Sequence, residues 1–243
     1  RVIGRAGTGL DNIDLKETKK RNIKVFSVPK GNTIATSEYV IAMILILTKN
    51  VFLIDNMIKK NDFRRHTIDL KQLSSMSVGI IGIGNLGIEI SKRLEPFKCK
   101  IYGYDPFTKM KDQFKQLRGI FFNRIEKFLE KSDILVLAAN LNPSSEYLIN
   151  KDNILKFKKG SYFINCSRAR LVDENALLYG LNKKIVKSAA IDLIDPEPIY
   201  TNKKKINNSL INHPNVFYSP HVAALTKESQ ERIAKDLSIK IKK

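Results

Sequence analysis

A glycine triplet with the spacing G-x-G-x-x-G occupies Gly82, Gly84 and Gly87. The apolar run Ser77–Ile81 directly precedes it, and a helical pattern directly follows it. In this setting the first glycine permits a tight turn, the second lets a pyrophosphate approach the backbone, and the third lets the helix pack close to the strand. The N-terminus of the helix then offers N–H groups and a partial positive charge to the anion. The motif in this context predicts a dinucleotide-binding loop.

An acidic residue follows the glycine motif at the spacing that this kind of site uses. Asp105 lies 18 residues beyond Gly87 and ends a second apolar run, Lys100–Tyr104. Its carboxylate can accept hydrogen bonds from both ribose hydroxyls of an adenosine, and its charge repels a 2′-phosphate. We therefore expect the dinucleotide to be NAD rather than NADP.

Three polar residues in the second half of the chain each come shortly after a predicted strand: Arg168, Glu197 and His221. The ligand crevice of a parallel sheet lies outside the carboxyl ends of its strands, so these side chains are expected to converge where a nicotinamide would bind. The chain has three histidines in all. Any histidine-dependent chemistry therefore depends on His221 or on the two others, His66 and His213, which we expect to be surface or loop residues.

The elements that must position these residues alternate between two types. Short runs rich in Ile, Val and Tyr predict buried strands at Ser77–Ile81, Lys100–Tyr104, Ile134–Ala138, Tyr162–Asn165, Ser188–Ile194 and Val216–Tyr218. Apolar residues at helical spacing lie between them, as in Leu86, Ile90 and Leu94. This alternation over residues 77–222 predicts an α/β fold with a doubly wound parallel sheet. Upstream we predict a glycine-rich loop around Gly4–Gly9, a strand Lys24–Val28 and a helix over Glu38–Leu47, and downstream a helix over Glu228–Ile239.

Composition excludes several classes of protein. The 243 residues are 43% hydrophobic and 8% aromatic, which is typical of a globular protein rather than a disordered one. No apolar run reaches the ~18–20 residues of a membrane span, so no membrane partner is expected. Two distant cysteines, Cys99 and Cys166, exclude a disulfide scaffold and a cysteine-rich zinc site. They favour a reducing compartment, so we expect a cytoplasmic protein.

The net charge of +19 has two interpretations. Binding to nucleic acid is the first. The second is compositional bias on a solvated surface, because Lys outnumbers Arg by 32 to 11 and the lysines are scattered along the chain. We favour the second interpretation and expect no nucleic-acid partner, since no DNA-binding motif accompanies the charge.

These motifs together resemble the D-2-hydroxyacid dehydrogenase family. The matching stretches occur in family order over nearly the whole chain: Gly4–Asp14, Val78–Gly87, Tyr104–Pro106, Ser132–Asp133, Asn165–Glu174, Asp192–Pro198 and Ser219–His221. The resemblance implies a Rossmann-type NAD-binding domain at residues 31–224. It also implies remnants of a flavodoxin-like substrate-binding domain at residues 1–30, and a C-terminal helix at 225–243 that returns to that domain. The chain is therefore expected to be an N-terminally truncated fragment.

The resemblance also implies roles for individual residues. His221 would exchange a proton with the substrate oxygen, Glu197 would bind the other ring nitrogen, and Arg168 would bind the substrate's carboxylate and carbonyl oxygens. The backbone around Thr8 and Gly9 would cradle the substrate carboxylate. Further cofactor contacts are expected from Asn85, Leu86, Cys166 and Asp192, with Asp192 holding the nicotinamide carboxamide.

Two departures from the family pattern lie near these residues. Ala169 and Arg170 stand where the family usually has two glycines after the arginine, and Arg170 would either alter substrate choice or point to solvent. Ala138, Ala139 and Asn140 replace a common His-x-Pro stretch near the adenine, which concerns cofactor packing.

Two classes of function remain open at this point. The first is an NAD-dependent oxidoreductase acting on a small 2-hydroxy or 2-oxo acid, with D-3-phosphoglycerate dehydrogenase favoured and glyoxylate/hydroxypyruvate reductase as the alternative. The second is a non-catalytic, NAD-sensing protein like the corepressors on this fold, because fold alone does not decide function. The resemblance further implies a homodimer, in which the apolar helix Tyr39–Leu47 is a candidate part of the interface and, equally, of the domain core.

Overall fold

The computed structural model describes residues 1–196 and 208–242. The strands in chain order are β1 (Val2–Arg5), β2 (Lys24–Ser27), β3 (Ser77–Ile81), β4 (Lys100–Tyr104), β5 (Ile120–Phe122), β6 (Ile134–Leu137), β7 (Ser161–Asn165), β8 (Val186–Ile191) and β9 (Val216–Tyr218). The α-helices are α1 (Leu15–Lys20), α2 (Thr33–Thr48), α3 (Val51–Lys59), α4 (Asn85–Leu94), α5 (Lys111–Gln116), α6 (Ile125–Lys131), α7 (Lys151–Ile154), α8 (Glu174–Asn182) and α9 (Lys227–Lys242).

Strands β3 to β9 form one parallel sheet in the order β5-β4-β3-β6-β7-β8-β9. The strand order reverses direction between β3 and β6, and ligands of open α/β sheets bind at such a point. Every residue of β3, β6 and β7 is buried, because helices cover both faces of the sheet. The predicted doubly wound parallel sheet is confirmed.

Two apolar layers hold the helices to the sheet. On one face α2 and α4 contribute fully buried side chains such as Ile44 and Ile90. On the other face α6 and α8 contribute Phe128 and Leu177, which pack with Phe163 of β7. Burial of such side chains contributes about 1.5–3 kcal/mol each, so these layers fix the carboxyl ends of the strands in place.

The first and last segments of the described chain pack together. β1 and β2 pair in parallel from Val2 opposite Lys24 to Arg5 opposite Ser27. A side chain on Gly4 would meet Ile241 of α9 at 2.7 Å, and the Lys240 amine donates to the Ser27 carbonyl at 2.8 Å. The division into domains at 30/31 and 224/225 stays a prediction.

Six of the seven strands of the sheet were predicted, and β5 was not. β3, β4 and β9 have the predicted bounds, whereas β8 ends three residues before the predicted Ile194. Gly4, expected in a loop, lies within β1. The sequence pattern gave no indication of α3, whose residues are all at least partly exposed.

Helix α2 belongs mainly to the domain core. Val40, Met43, Ile44 and Leu47 are buried among the residues of the sheet and of α4. Within the described residues, no single helix is long and apolar enough to cross a membrane. α2 and α3 meet the length and hydropathy requirements only when taken together across a 55° bend.

Candidate active site

A cavity of about 510 Å³ lies at the carboxyl ends of the sheet strands. The segment after β1, the start of α2, and the loops after β3, β6, β7, β8 and β9 line it. The lining includes nine residues singled out from the sequence: Thr8, Gly9, Gly84, Asn85, Leu86, Cys166, Arg168, Asp192 and His221. Thr8 and His221, which are 213 positions apart in the chain, therefore meet at one place.

The glycine loop has the geometry that its three glycines suggest. Gly82 has φ +98°, and a side chain there would meet the Ala138 backbone at 2.6 Å. A side chain on Gly87 would overlap the Gly82 carbonyl oxygen, whereas one on Gly84 would meet no atom of the described residues within 4 Å. Gly82 and Gly87 are thus required by the fold, and Gly84 borders open space.

The start of α4 is suited to an anion. Gly84 is its N-cap, and among residues 1–196 and 208–242 no side chain caps this end of the helix. The first N–H groups of a helix have no partner within it, and they carry its positive partial charge. Free donors, positive charge and open space at Gly84 together fit the pyrophosphate of a dinucleotide.

Asp105 lies beside this loop rather than in the lining of the cavity. Its Oδ2 accepts a hydrogen bond from the Ile83 N–H at 2.8 Å, and its Oδ1 accepts from the Phe107 N–H at 2.9 Å. A carboxylate oxygen has two lone pairs, so each oxygen can still accept from a ribose hydroxyl.

Arg168 forms an ion pair across the cavity with Asp11, 157 residues away in the chain. The guanidinium Nε lies 3.1 Å and 3.0 Å from the two Asp11 oxygens, and Nη2 lies 3.0 Å from Oδ1. Burial raises the pKa of Asp11, but the hydrogen bonds and charge of Arg168, with the charge of Arg5, outweigh it and lower the pKa. Asp11 is therefore a carboxylate at neutral pH.

Thr8 and Gly9 approach Arg168 from the loop after β1. The Thr8 hydroxyl donates to Asn32 Oδ1 at 2.9 Å, which ties this loop to the start of α2. A side chain on Gly9 would collide with the Arg168 guanidinium and with Asp11 Oδ1. A glycine is therefore needed at position 9, because any side chain there would occupy the space of the ion pair.

Asp192 is buried and holds the loop that carries His221. Its carboxylate accepts hydrogen bonds from the Ser219 hydroxyl at 2.5 Å and from the N–H groups of Val222 and Ala223 at 3.0 and 2.9 Å. His221 itself has φ +55°, a left-handed conformation that is uncommon outside glycine.

Cys166 lines the cavity as a neutral thiol. Burial, followed by the charge of Asp192, raises the pKa of this thiol well above its usual value. A thiolate is the reactive form of cysteine, so Cys166 offers apolar contact surface rather than a nucleophile.

Two residues singled out from the sequence are placed differently from the others. Glu197 lies outside the described residues. Arg170 points away from the cavity and pairs with Glu146 and, at 3.9 Å, with Asp195. Arg170 is half-exposed and its charge is paired with acidic side chains, and an effect of this residue on substrate choice stays a prediction.

Sequence reasoning assigned no role to Asp11, Asn32 or Ser219. Each acts through a tertiary contact with a residue that was singled out: Arg168, Thr8 and Asp192, respectively. Asp11 was visible within the Gly4–Asp14 motif, but nothing in its spacing indicated its partner.

Comparison with known proteins places the chain in a family. Residues 41–223 match the family model described as D-isomer specific 2-hydroxyacid dehydrogenase, NAD binding domain. The chain is 35% identical over 238 residues to D-3-phosphoglycerate dehydrogenase of Bacillus subtilis (strain 168), covering 98% of the chain and 44% of that protein. It is 31% identical to D-3-phosphoglycerate dehydrogenase of Homo sapiens, covering 98% of the chain and 43% of that protein. The chain thus spans less than half the length of these relatives.

A solved structure has the same fold. The D-lactate dehydrogenase of Aquifex aeolicus, complexed with NAD and lactic acid, superposes with a TM-score of 0.91 at 27% identity. The match covers 100% of the chain and 75% of that protein. These matches agree with the resemblance in the sequence motifs and with the cradle at Gly84. The chain belongs to the D-isomer specific 2-hydroxyacid dehydrogenase family and contains its NAD-binding domain.

Proposed function

We propose that the protein containing this chain is an NAD-dependent dehydrogenase that interconverts a small D-2-hydroxy acid and its 2-oxo acid. The observation that carries this proposal is the convergence of Arg168 and His221 on one cavity beside the Gly82–Gly87 loop. An anion-binding arginine and a proton-exchanging histidine are the groups that reduction of a 2-oxo acid requires.

In the proposed reaction Arg168 binds the carboxylate and carbonyl oxygens of the substrate, and the Thr8–Gly9 backbone also binds the carboxylate. When bound, NAD supplies or accepts the hydride. His221 donates a proton to the carbonyl oxygen during reduction and removes it during oxidation, because imidazole exchanges protons near neutral pH. Glu197 is proposed to bind the other ring nitrogen and fix the tautomer.

The remaining residues of the site are proposed to orient the cofactor. Gly84, Asn85 and Leu86 would offer their N–H groups to the pyrophosphate at the start of α4. Asp105 would bind the adenosine ribose, and Asp192 would face the nicotinamide carboxamide while it holds the His221 loop. Cys166 would provide apolar surface beside the nicotinamide.

Among 2-oxo acids we propose phosphohydroxypyruvate, paired with D-3-phosphoglycerate, as the substrate. The support is the 35% and 31% identity to two proteins named D-3-phosphoglycerate dehydrogenase. The test is NADH oxidation by the natural protein containing this chain, with phosphohydroxypyruvate, hydroxypyruvate, glyoxylate and pyruvate compared at equal concentration.

The highest kcat/KM with phosphohydroxypyruvate would support the full proposal. A preference for hydroxypyruvate or glyoxylate would keep the reaction class and replace the substrate. Tight NADH binding without turnover of any of the four would contradict the enzymatic proposal and favour an NAD-sensing role.

We further propose that the protein forms a homodimer and resides in the cytoplasm. α3 exposes the apolar side chains of Val51 and Ile58, which lie two helical turns apart on the same side of the helix and are each more than two-fifths exposed. Exposed apolar surface of this kind is typical of an interface. α2, which the sequence made equally a candidate for the interface and for the domain core, contributes mainly to the core. Light scattering of a Val51→Lys and Ile58→Lys double variant tests the dimer, which should dissociate to a monomer. The cytoplasmic location rests on the free thiols Cys99 and Cys166.

A further inference from the structure

Asp11 contacts the residue on which substrate binding depends, yet it has no role in the reaction proposed above. We propose that Asp11 is a positioning residue, which holds the Arg168 guanidinium by one edge and turns its terminal nitrogens toward the substrate carboxylate. This inference rests on the proposed function, since it takes Arg168 as the group that binds the substrate.

The hydrogen bonds of Arg168 are distributed unevenly over the guanidinium. Asp11 accepts from Nε and from Nη2, and the Ser167 carbonyl accepts from Nη1 at 2.8 Å. Within the described part of the chain, the N–H groups left over are therefore one on Nη1 and one on Nη2. The oxygens of a substrate can accept hydrogen bonds from these two N–H groups at the end of the side chain, while Asp11 remains bound along the Nε edge.

The surroundings restrict the ion pair to this arrangement. Gly9 has no side chain where the guanidinium and Asp11 Oδ1 meet, and a Cβ there would collide with both. The side chains of Arg168 and Asp11 are only 24% and 35% exposed. Because the Arg168 side chain is already fixed before the substrate binds, substrate binding causes a smaller loss of side-chain conformational entropy.

The charges around Asp11 determine the net charge beside Arg168. Arg5 lies close enough to Asp11 to lower the pKa of its carboxyl. The carboxylate thus has positive charge from both Arg5 and Arg168, which leaves the neighbourhood of Arg168 net positive. A small anion is attracted rather than repelled by this arrangement.

Two other roles for Asp11 predict different effects of its removal on anion binding. If Asp11 competed with the substrate for Arg168, its removal would tighten anion binding. If Asp11 only stabilised the loop after β1, its removal would weaken binding whether or not Arg168 is present. A double-mutant cycle separates these roles.

The experiment uses the natural protein containing this chain, loaded with NADH, and measures oxalate binding by NADH fluorescence together with kcat and KM for the preferred 2-oxo acid. The variants are Asp11→Ala, Asp11→Asn, Arg168→Ala and the double variant Asp11→Ala with Arg168→Ala. Asp14→Asn is the matched control, since Asp14 lies in the same loop and caps α1, and asparagine caps equally well.

We expect Asp11→Ala to weaken oxalate binding and raise KM by ~10-fold or more. Asp11→Asn should recover part of the loss, the Kd for NADH should change less than ~2-fold, and Asp14→Asn should change nothing. In the Arg168→Ala background, Asp11→Ala should have less than a ~2-fold effect.

Three results would overturn the inference: tighter oxalate binding in Asp11→Ala, unchanged binding in it, or an equal loss with and without Arg168. Oxalate binding without turnover of any 2-oxo acid would contradict the proposed function but not the role of Asp11. The double-mutant cycle measured with oxalate would still test that role. A wild-type protein that binds NADH but no oxalate would overturn both.

Discussion

The backbone N–H of His221 donates a 2.6 Å hydrogen bond to the carbonyl oxygen of Asp192. The Asp192 side chain binds the residues on both sides of that histidine: the Ser219 hydroxyl, and the N–H groups of Val222 and Ala223. One buried aspartate thus fixes a loop whose central residue has a left-handed backbone. The position of the His221 ring therefore depends on Asp192.

Replacing Asp192 tests this dependence. In Asp192→Asn an NH2 group takes the place of one carboxylate oxygen and faces an N–H donor, so a buried donor loses its acceptor. We expect a loss of about 1–3 kcal/mol in the free energy of unfolding and a ~100-fold lower kcat, because the histidine is displaced. Ser219→Ala is the control. It removes the hydroxyl that bonds Asp192 and Tyr39 but leaves both N–H bonds to the Asp192 carboxylate in place, and each lost hydrogen bond costs about 1 kcal/mol. Wild-type turnover in Asp192→Asn would show that the loop holds its conformation without the carboxylate.

Two glycine variants separate folding from cofactor binding. Gly87→Ala places a Cβ against the Gly82 carbonyl and should lower Tm, because the helix must move away from the strand. The Cβ of Gly84→Ala meets no atom within 4 Å in the part of the chain that the structure describes. This variant should leave the Tm of the NAD-free protein unchanged while weakening NADH binding ~10-fold or more. Thermal melts and NADH titrations of both variants check this. Undiminished NADH affinity in Gly84→Ala would place the pyrophosphate elsewhere.

Asp105 should determine the choice between NAD and NADP. Its carboxylate is held in place by the N–H groups of Ile83 and Phe107, and its charge opposes a 2′-phosphate. Asp105→Ala should raise KM for NADH and reduce the preference for NADH over NADPH by ~10-fold or more. The ratio of kcat/KM for the two cofactors is the measurement. An unchanged ratio of the two kcat/KM values would mean that another group recognises the adenosine ribose.

Asp133 should make stability depend on acid pH. Burial raises the pKa of its carboxyl, but hydrogen bonds from Lys158 and Ser77 and the Lys158 charge lower it below the ordinary value of 3.8. A depressed pKa in the folded state contributes stability above the unfolded value, and this contribution is lost as pH falls through the folded value.

The Asp133→Asn variant should therefore be less stable than wild type at pH 7, and the difference should shrink as the pH falls below 3.8. Chemical unfolding across this range measures it. The control is Asp112→Asn, whose side chain is 95% exposed and should show little effect at either pH. A difference that stays constant with pH would assign the effect to packing rather than to charge.

The sheet and its glycine loop could be predicted because their signals are local. β3 is a continuous apolar run followed directly by Gly82, and β3, β6 and β7 are buried on both faces. β1 was missed because Gly4 suggested a loop, whereas it lies in a strand against α9. The need for a glycine there comes from a helix more than 220 residues away, which no local pattern contains.

The candidate site was predicted residue by residue, but its connections were not. Arg168, Asp192 and His221 meet at the cavity, as the rule for parallel sheets suggests. The contacts between Arg168 and Asp11, and between Asp192 and Ser219, depend on loop conformations that only the folded chain defines. Glu197 stays a prediction, since it lies outside the described residues.

The most direct test compares two histidine variants of the natural protein in one assay, NADH oxidation with its preferred 2-oxo acid. His221→Ala should lower kcat by ~100-fold or more with little change in NADH affinity, because it removes the proton donor and leaves the glycine loop intact. His213→Ala is the matched control, because His213 lies outside the cavity, where its Nδ1 accepts from the Asn215 N–H. This control should keep wild-type turnover. Equal turnover in His221→Ala and wild type would contradict the proposed mechanism.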